Sequence, residues 1–395
     1  MEVSCALYGD WRTFYTRLRV DRRARMIVHS DLAGYLSRCL VVVLAVALTA
    51  GCATNTKPGV LNFGVGVSPE AKRITWPPLG SGDVPRYVYA GELTGEENFR
   101  EPEKKKTGVS AFLQWLAGLF DADAALVVLQ RPQSGVTDED GRIFVTDTSR
   151  QAVFVFDQKK GSLDVWEYAM EATRFVAPAG IALGEAGDVY VADAEQGFVT
   201  RLGRDGKSIG IIGKGELLRP VGLAVDTVTH QLYVADTYAH DIKVFDANGR
   251  LLRTLGQRGD KPGDFNYPTY IALAKGELYV ADTMNARVQV LDAETGQPKR
   301  VIGERGLYVG NLVRPKGVAV DDEGNVYVVE SYYDHLLVFN NAGDFLMPIG
   351  GTGSGVGNFY LPSGVWADAH NRIYVADMFN GRVSIFQFLG GEAEK

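Results

Sequence analysis

The stretch LYVAD, residues 278–282, occurs unchanged at 232–236. IFVTD (143–147), VYVAD (189–193), VYVVE (326–330) and IYVAD (373–377) are variants of it. Each is a short β-favouring run closed by an acid. The closing acids are Asp147, Asp193, Asp236, Asp282, Glu330 and Asp377, and successive ones lie 43 to 48 residues apart. A proline keeps step with them. Pro132, Pro178, Pro220, Pro268, Pro315 and Pro362 each precede a short apolar run such as GVAVD (317–321). Gly180, Gly222, Gly317 and Gly364 stand two residues after their proline; Ser134 and Tyr270 break that pattern. A fixed period of this length marks a repeat architecture.

Each unit holds four strands. In one unit they are GVAVD, NVYVVE (325–330), HLLVFN (335–340) and DFLMPIG (344–350), separated by the turn stretches DDEGN (321–325) and NNAG (340–343). Four antiparallel strands per unit predict an all-β chain, a six-bladed β-propeller. One blade cannot bury both faces, and stacking blades in a ring does so. The last unit ends at RVSIFQFL (382–389) without a fourth strand, and RYVYAGE (86–92) is an orphan strand near the other end. The N-terminal strand is therefore expected to complete blade six and remove the exposed edges.

The repeat resembles the NHL repeat, whose pattern runs roughly P-x-G-[IV]-A-V-D and then [IV]-Y-V-A-D-x-x-N-x-R-[VI]-x-x-F. The match is best in IYVADMFNGRVSIF (373–386), and the resemblance covers residues 132–388. It implies a propeller used for binding or for catalysis. The related peptidyl amide lyases carry zinc-binding histidines near the central channel, and this chain has none at the matching strand starts. Propeller lactonases bind calcium through a Glu in the first blade strand, and SGVTD (134–138) lacks one.

The 395 residues carry a net charge of −7. That balance disfavours nucleic acid as a partner, because phosphate binding needs a basic face. CLVVVLAVALTAG (39–51) follows Arg38 and precedes Cys52. A basic flank, a short apolar core and small residues read as a secretory signal, too short to span a bilayer comfortably. LTAGC (48–52) resembles a bacterial lipobox, with Thr49 rather than Leu48 three residues before the cysteine. The expected organisation is a leader at 1–51, lipidation at Cys52, a flexible tether at 52–80 and a propeller at 81–391. The chain is expected to cross the inner membrane and sit lipid-anchored in a bacterial envelope. Cys5 and Cys39 belong to the leader, so cysteine-based catalysis is excluded from the mature chain.

Asp282, Asn285 and Arg287 resemble a reactive cluster in isolation. The acid recurs in every blade, whereas an active site needs asymmetry. A carboxylate there is expected to tie down the next turn, with Asn285 in a left-handed conformation and Arg287 paired to the acid. The residues that vary lie two past each acid: Ser149, Glu195, Tyr238, Met284, Tyr332 and Phe379. They fall at loop tips on one face. Tyr267, Tyr270, Tyr308 and Tyr360 come from loops entering the first strands on that same face, and Phe359, repeated as Phe175 and Phe265, is expected to pack. Large apolar tips on blades three to six predict a binding surface for a protein, peptide or glycan. The loop entering blade one (94–131) is long and contains SAFLQWLAGLF (110–120), an amphipathic helix by spacing. It is expected to pack on the rim, cover the face or touch membrane.

The function expected is a membrane-tethered, non-catalytic binding or scaffold module with no cofactor. The alternative is a hydrolase or lyase using a divalent cation, such as calcium, held by carbonyls and Asp in the central channel.

Overall fold

The computed structural model describes residues 59–64, 68, 73–99 and 126–390. The leader, Cys52, EKKK (103–106) and the helix expected at 110–120 lie outside the described residues.

Six four-stranded antiparallel blades form a ring. Their first strands are Pro132–Thr137, Pro178–Leu183, Pro220–Asp226, Pro268–Ala274, Pro315–Val320 and Val365–Ala367. Within blades one to five the strands pair in chain order. Each first strand packs against the first strand of the next blade, and that of blade six packs against that of blade one, so the ring is closed. The second strands, such as Val189–Asp193 and Val326–Glu330, are buried along their length, because each is covered by a blade on either side. Fourth strands such as Leu251–Leu255 alternate towards solvent. Between blades three and four, Tyr233, Ala235, Val244 and Leu255 interlock with Leu278, Val280 and Leu291. The glycine after each proline has a steric cause: a Cβ at Gly180 or Gly222 would collide with a carbonyl of the neighbouring first strand.

The N-terminal strand closes the ring as the sequence predicts. Tyr87–Leu93 lies antiparallel to Arg382–Phe388, in register from Tyr87 opposite Phe388 to Leu93 opposite Val383. A bulge between Tyr89 and Gly91 bends it, and Gly91 (φ 141°) passes so close to Phe63 that a side chain would not fit. Tyr87, Tyr89 and Leu93 are buried against blades five, six and one.

Part of the stretch expected as a tether is packed instead. Thr75–Trp76 pairs outside Tyr87–Leu93 as a fifth strand of blade six. The Trp76 ring stands edge-on to Phe386 at 5.2 Å. Gly59 N–H donates to the Gly161 carbonyl, and Leu61 is buried. Two apolar anchors offset the low strand propensity that makes this stretch look irregular. Among the described residues, no helix is long and apolar enough to cross a membrane.

Candidate binding face

The repeat acids hold one end of every blade. All six are fully buried. In blade five Glu330 accepts four backbone N–H groups, from Val313, Arg314, Tyr332 and Tyr333. Asp147 does the same for Gln130, Arg131, Ser149 and Arg150. Each of these acids thereby ties the loop entering the first strand to the turn between the second and third strands. In blade four the partners are Asn266 N–H and three side chains, Asn285, Arg287 and Gln289. In blade six Asn380 and Arg382 repeat that arrangement on Asp377. Burial pushes the Asp377 carboxyl up, and the Tyr360 N–H, Asn380 and Arg382 oppose it. With their oxygens engaged in this way, the acids have nothing free to offer a metal or a substrate.

One detail of this turn differs from the sequence reading. The left-handed residue is Ala286 (φ 55°), not Asn285. Gln151, Gly197, His240, Asp334 and Gly381 take the same conformation at the equivalent position in the other blades. Asn285 contributes instead through its side-chain amide, which reaches both Asp282 and the Gly259 carbonyl.

The six tip residues, Ser149, Glu195, Tyr238, Met284, Tyr332 and Phe379, are all exposed. The loops entering the first strands meet them. Tyr238 stands edge-on to Tyr267 at 6.1 Å, and Phe379 edge-on to Tyr360 at 5.7 Å. Tyr308 is 83% exposed and is flanked by exposed Leu307 and Val309. Beside them a cavity of about 80 Å³ is lined by Tyr308, Tyr333, His335 and Leu337. Arginines join the rings: Arg219 lies over Tyr238 and Arg131 over Phe379, each at 5.1 Å. Phe175, Phe265 and Phe359 are fully buried beneath the loops.

Tyr270 parts from this set. It is buried, and its hydroxyl donates across the ring to the Gln133 carbonyl of blade one at 3.1 Å, with Ser363 of blade six at 3.3 Å. Burial pushes its phenol up to about 12. The side chain fills the space that four other blades keep open with glycine, and it closes the channel near the aromatic face. Below it lies a cavity of about 150 Å³, lined by Ile181, Leu223, Ile271, Val318 and Val365. Ser134 also lines it, and no carboxylate does, so the Asp expected to help hold a divalent cation does not reach this cavity. Among the described residues, no three His, Cys, Asp or Glu side chains gather as a metal site.

His240 supports the aromatic face from below. Its ring packs on Tyr267 at 4.4 Å, and its Nδ1 accepts the Tyr267 N–H at 3.1 Å. Burial first, then Arg258, hold its pKa below the ordinary 6.5, against the weaker pull of the Phe265 backbone, Asp241 and Asp282. A lowered folded pKa means that stability present above the unfolded value is lost as pH falls below about 6.5. Melting temperatures at pH 7.5 and pH 5 should therefore fall further apart for the wild type than for His240→Gln, whose side-chain carbonyl still accepts the Tyr267 N–H. Equal pH dependence would contradict this assignment.

The opposite face differs in charge. Asp138, Glu139, Asp140 and Glu185 line a hollow of about 630 Å³ there, shared with Arg204.

A family model described as "6-bladed beta-propeller" matches residues 223–303 and 311–394. Human NHL repeat-containing protein 2 is 30% identical over 155 residues, 31% of this chain and 21% of that protein. The chain is a six-bladed NHL-type β-propeller. The match spans less than half the length of such relatives, from 13% of Drosophila melanogaster brain tumor protein to 46% of human NHL repeat-containing protein 3. Among solved structures, a protein of unknown function from Bacteroides thetaiotaomicron aligns with this propeller at a TM-score of 0.54 and 13% identity, covering 66% of this chain and 70% of its own. A gluconolactonase from Xanthomonas campestris aligns at 0.52 and 15%, covering 66% and 86%. At those identities the likeness concerns the fold alone.

Proposed function

We propose that this propeller is a non-catalytic binding or scaffold module that engages a protein, peptide or glycan through its aromatic face. The observation that carries the reading is the exposure of Tyr238, Met284, Tyr332, Phe379, Tyr308 and Tyr360 on one face while the acids beneath are engaged by backbone N–H groups and neighbouring side chains. Exposed rings and arginine–ring pairs are the side chains that dominate binding surfaces. A signal at 1–51 and a lipidated Cys52 belong to the same proposal, as the means of holding the module in a bacterial envelope.

The test is affinity capture from envelope extract with the wild type and with Tyr238→Ala/Tyr332→Ala. Both side chains are exposed, so the double variant should melt as the wild type does, within about 1 kcal/mol of its stability. It should lose its partners by about tenfold or more in recovery, as expected when two aromatic anchors are truncated. Identical partners on both baits would refute the assignment.

A further inference from the structure

Five of the six residues that follow the repeat proline are neutral: Gln133, Ala179, Val221, Thr269 and Ser363. The sixth is Lys316. Its carbonyl accepts a hydrogen bond from Thr269 Oγ1 at 2.9 Å, so it lies at the seam between the first strands of blades four and five. Its side chain is partly buried. The influences on its ammonium are burial and, after it, the like charge of Arg314, and both hold its pKa below the ordinary lysine value. Among the described residues no carboxylate pairs with it. An ammonium drawn out of water without a counter-charge costs free energy, and a fold keeps such a group most readily where something else supplies the charge.

The surroundings repeat the theme. The residue before the repeat proline is arginine in alternate blades: Arg131 in blade one, Arg219 in blade three and Arg314 in blade five. Arg219 shares Glu195 at 3.3 Å. Neither Arg131 nor Arg314 meets a carboxylate among the described residues. The three positions surround a channel mouth whose floor is Tyr270. All this stands in a chain of net charge −7 whose other face gathers acids. The acids of that face are matched by Arg142, Lys159 and Arg204, whereas Lys316, Arg131 and Arg314 meet no carboxylate among the described residues and are set among exposed rings.

We propose that the channel mouth is a carboxylate-binding site centred on Lys316, whose ligand is an acidic peptide segment bearing apolar side chains. This rests on the binding reading above and names its ligand class. Met284, Leu307 and Val309 beside the tyrosines suit branched and aliphatic side chains better than sugar rings. The net charge of −7 opposes a long polyanion such as nucleic acid. The closed floor favours a side-chain or terminal carboxylate entering from one side.

The probe is a fluorescein-labelled peptide, Gly-Glu-Leu-Glu-Phe-Glu-Gly, with a counterpart carrying Gln for every Glu, followed by fluorescence anisotropy. The wild type should hold the Glu peptide about ten- to a hundredfold more tightly than the Gln peptide, the range of one or two charge-assisted hydrogen bonds. Lys316→Met should lose most of that preference and melt at or above the wild-type temperature, because it removes an unpaired charge. Arg314→Ala, on an exposed side chain, should weaken binding less, and it carries the test if Lys316→Met does not fold. Equal binding of the two peptides, binding of neither, or unchanged preference in the variants that fold would overturn the site. A twelve-nucleotide RNA displacing the Glu peptide at lower concentration would overturn the peptide assignment. If capture from extract still depends on Tyr238 and Tyr332, the aromatic face stands and only this site falls.

Discussion

Glu330→Ala should unfold the propeller about 3–5 kcal/mol more easily than the wild type, lowering the melting temperature by about 10 °C. The size follows from what the carboxylate does. It accepts four backbone N–H groups from two loops, and no side chain shares the work. Removing it strands those donors in a position that is fully buried. Each buried donor left unpaired costs about 1–3 kcal/mol before water enters to relieve part of it. Blade four supplies the control. Arg287→Ala removes a cation from the fully buried Asp282, together with its bonds to the Lys261 and Asp264 carbonyls, but leaves Asn266 N–H, Asn285 and Gln289 in place, so it should cost about 3 kcal/mol, the low end for breaking a buried ion pair and less than Glu330→Ala. Thermal melts of the two variants side by side decide the matter. If Arg287→Ala proves as damaging as Glu330→Ala, the ion pair rather than the N–H cage holds the blade.

Deleting residues 87–93 should abolish the single cooperative transition. Blade six would keep three strands, and Val383, Ile385 and Phe386, now fully buried, would lose their cover. Tyr87 would no longer meet Tyr327 of blade five, where the two hydroxyls lie 3.1 Å apart. Leu93 and Phe99 also belong to the cluster that joins blade six to blade one. The ring would then open along its seam and expose an unpaired edge. Near-ultraviolet circular dichroism and dye binding during a denaturant titration would show a broad, shallow loss of structure. A truncated protein with a sharp melt at the wild-type midpoint would mean that three strands suffice.

The six blades, their acids and the closing strand are legible in the sequence because they repeat, and a repeat supplies its own alignment. What the sequence conceals lies where one blade departs from the others. Tyr270 is visible as a break in the glycine pattern, but its loop position suggests the open face. Only the path of its side chain across the ring shows that it closes the channel. The left-handed residue of the turn is hidden because Ala286 is a poor candidate by type, and a fixed hydrogen-bonding cage imposes the conformation. Thr75–Trp76 is hidden because two residues carry no periodicity. Lys316 does carry a signal: it is the one charged residue in its column of the repeat.

Apart from the two-residue Thr75–Trp76, Tyr87–Leu93 is translated before the other strands of the ring, and its partner Arg382–Phe388 comes last. The first of the pair must therefore wait, without its partner, while almost three hundred residues follow it. Five blades can form locally as they emerge, each from neighbours in the chain. The sixth cannot begin until synthesis is nearly over, so ring closure is tied to completion of the polypeptide. A chain stalled short of Arg382 would present five finished blades and a free apolar strand at once, which is the state a quality-control protease or chaperone is built to find.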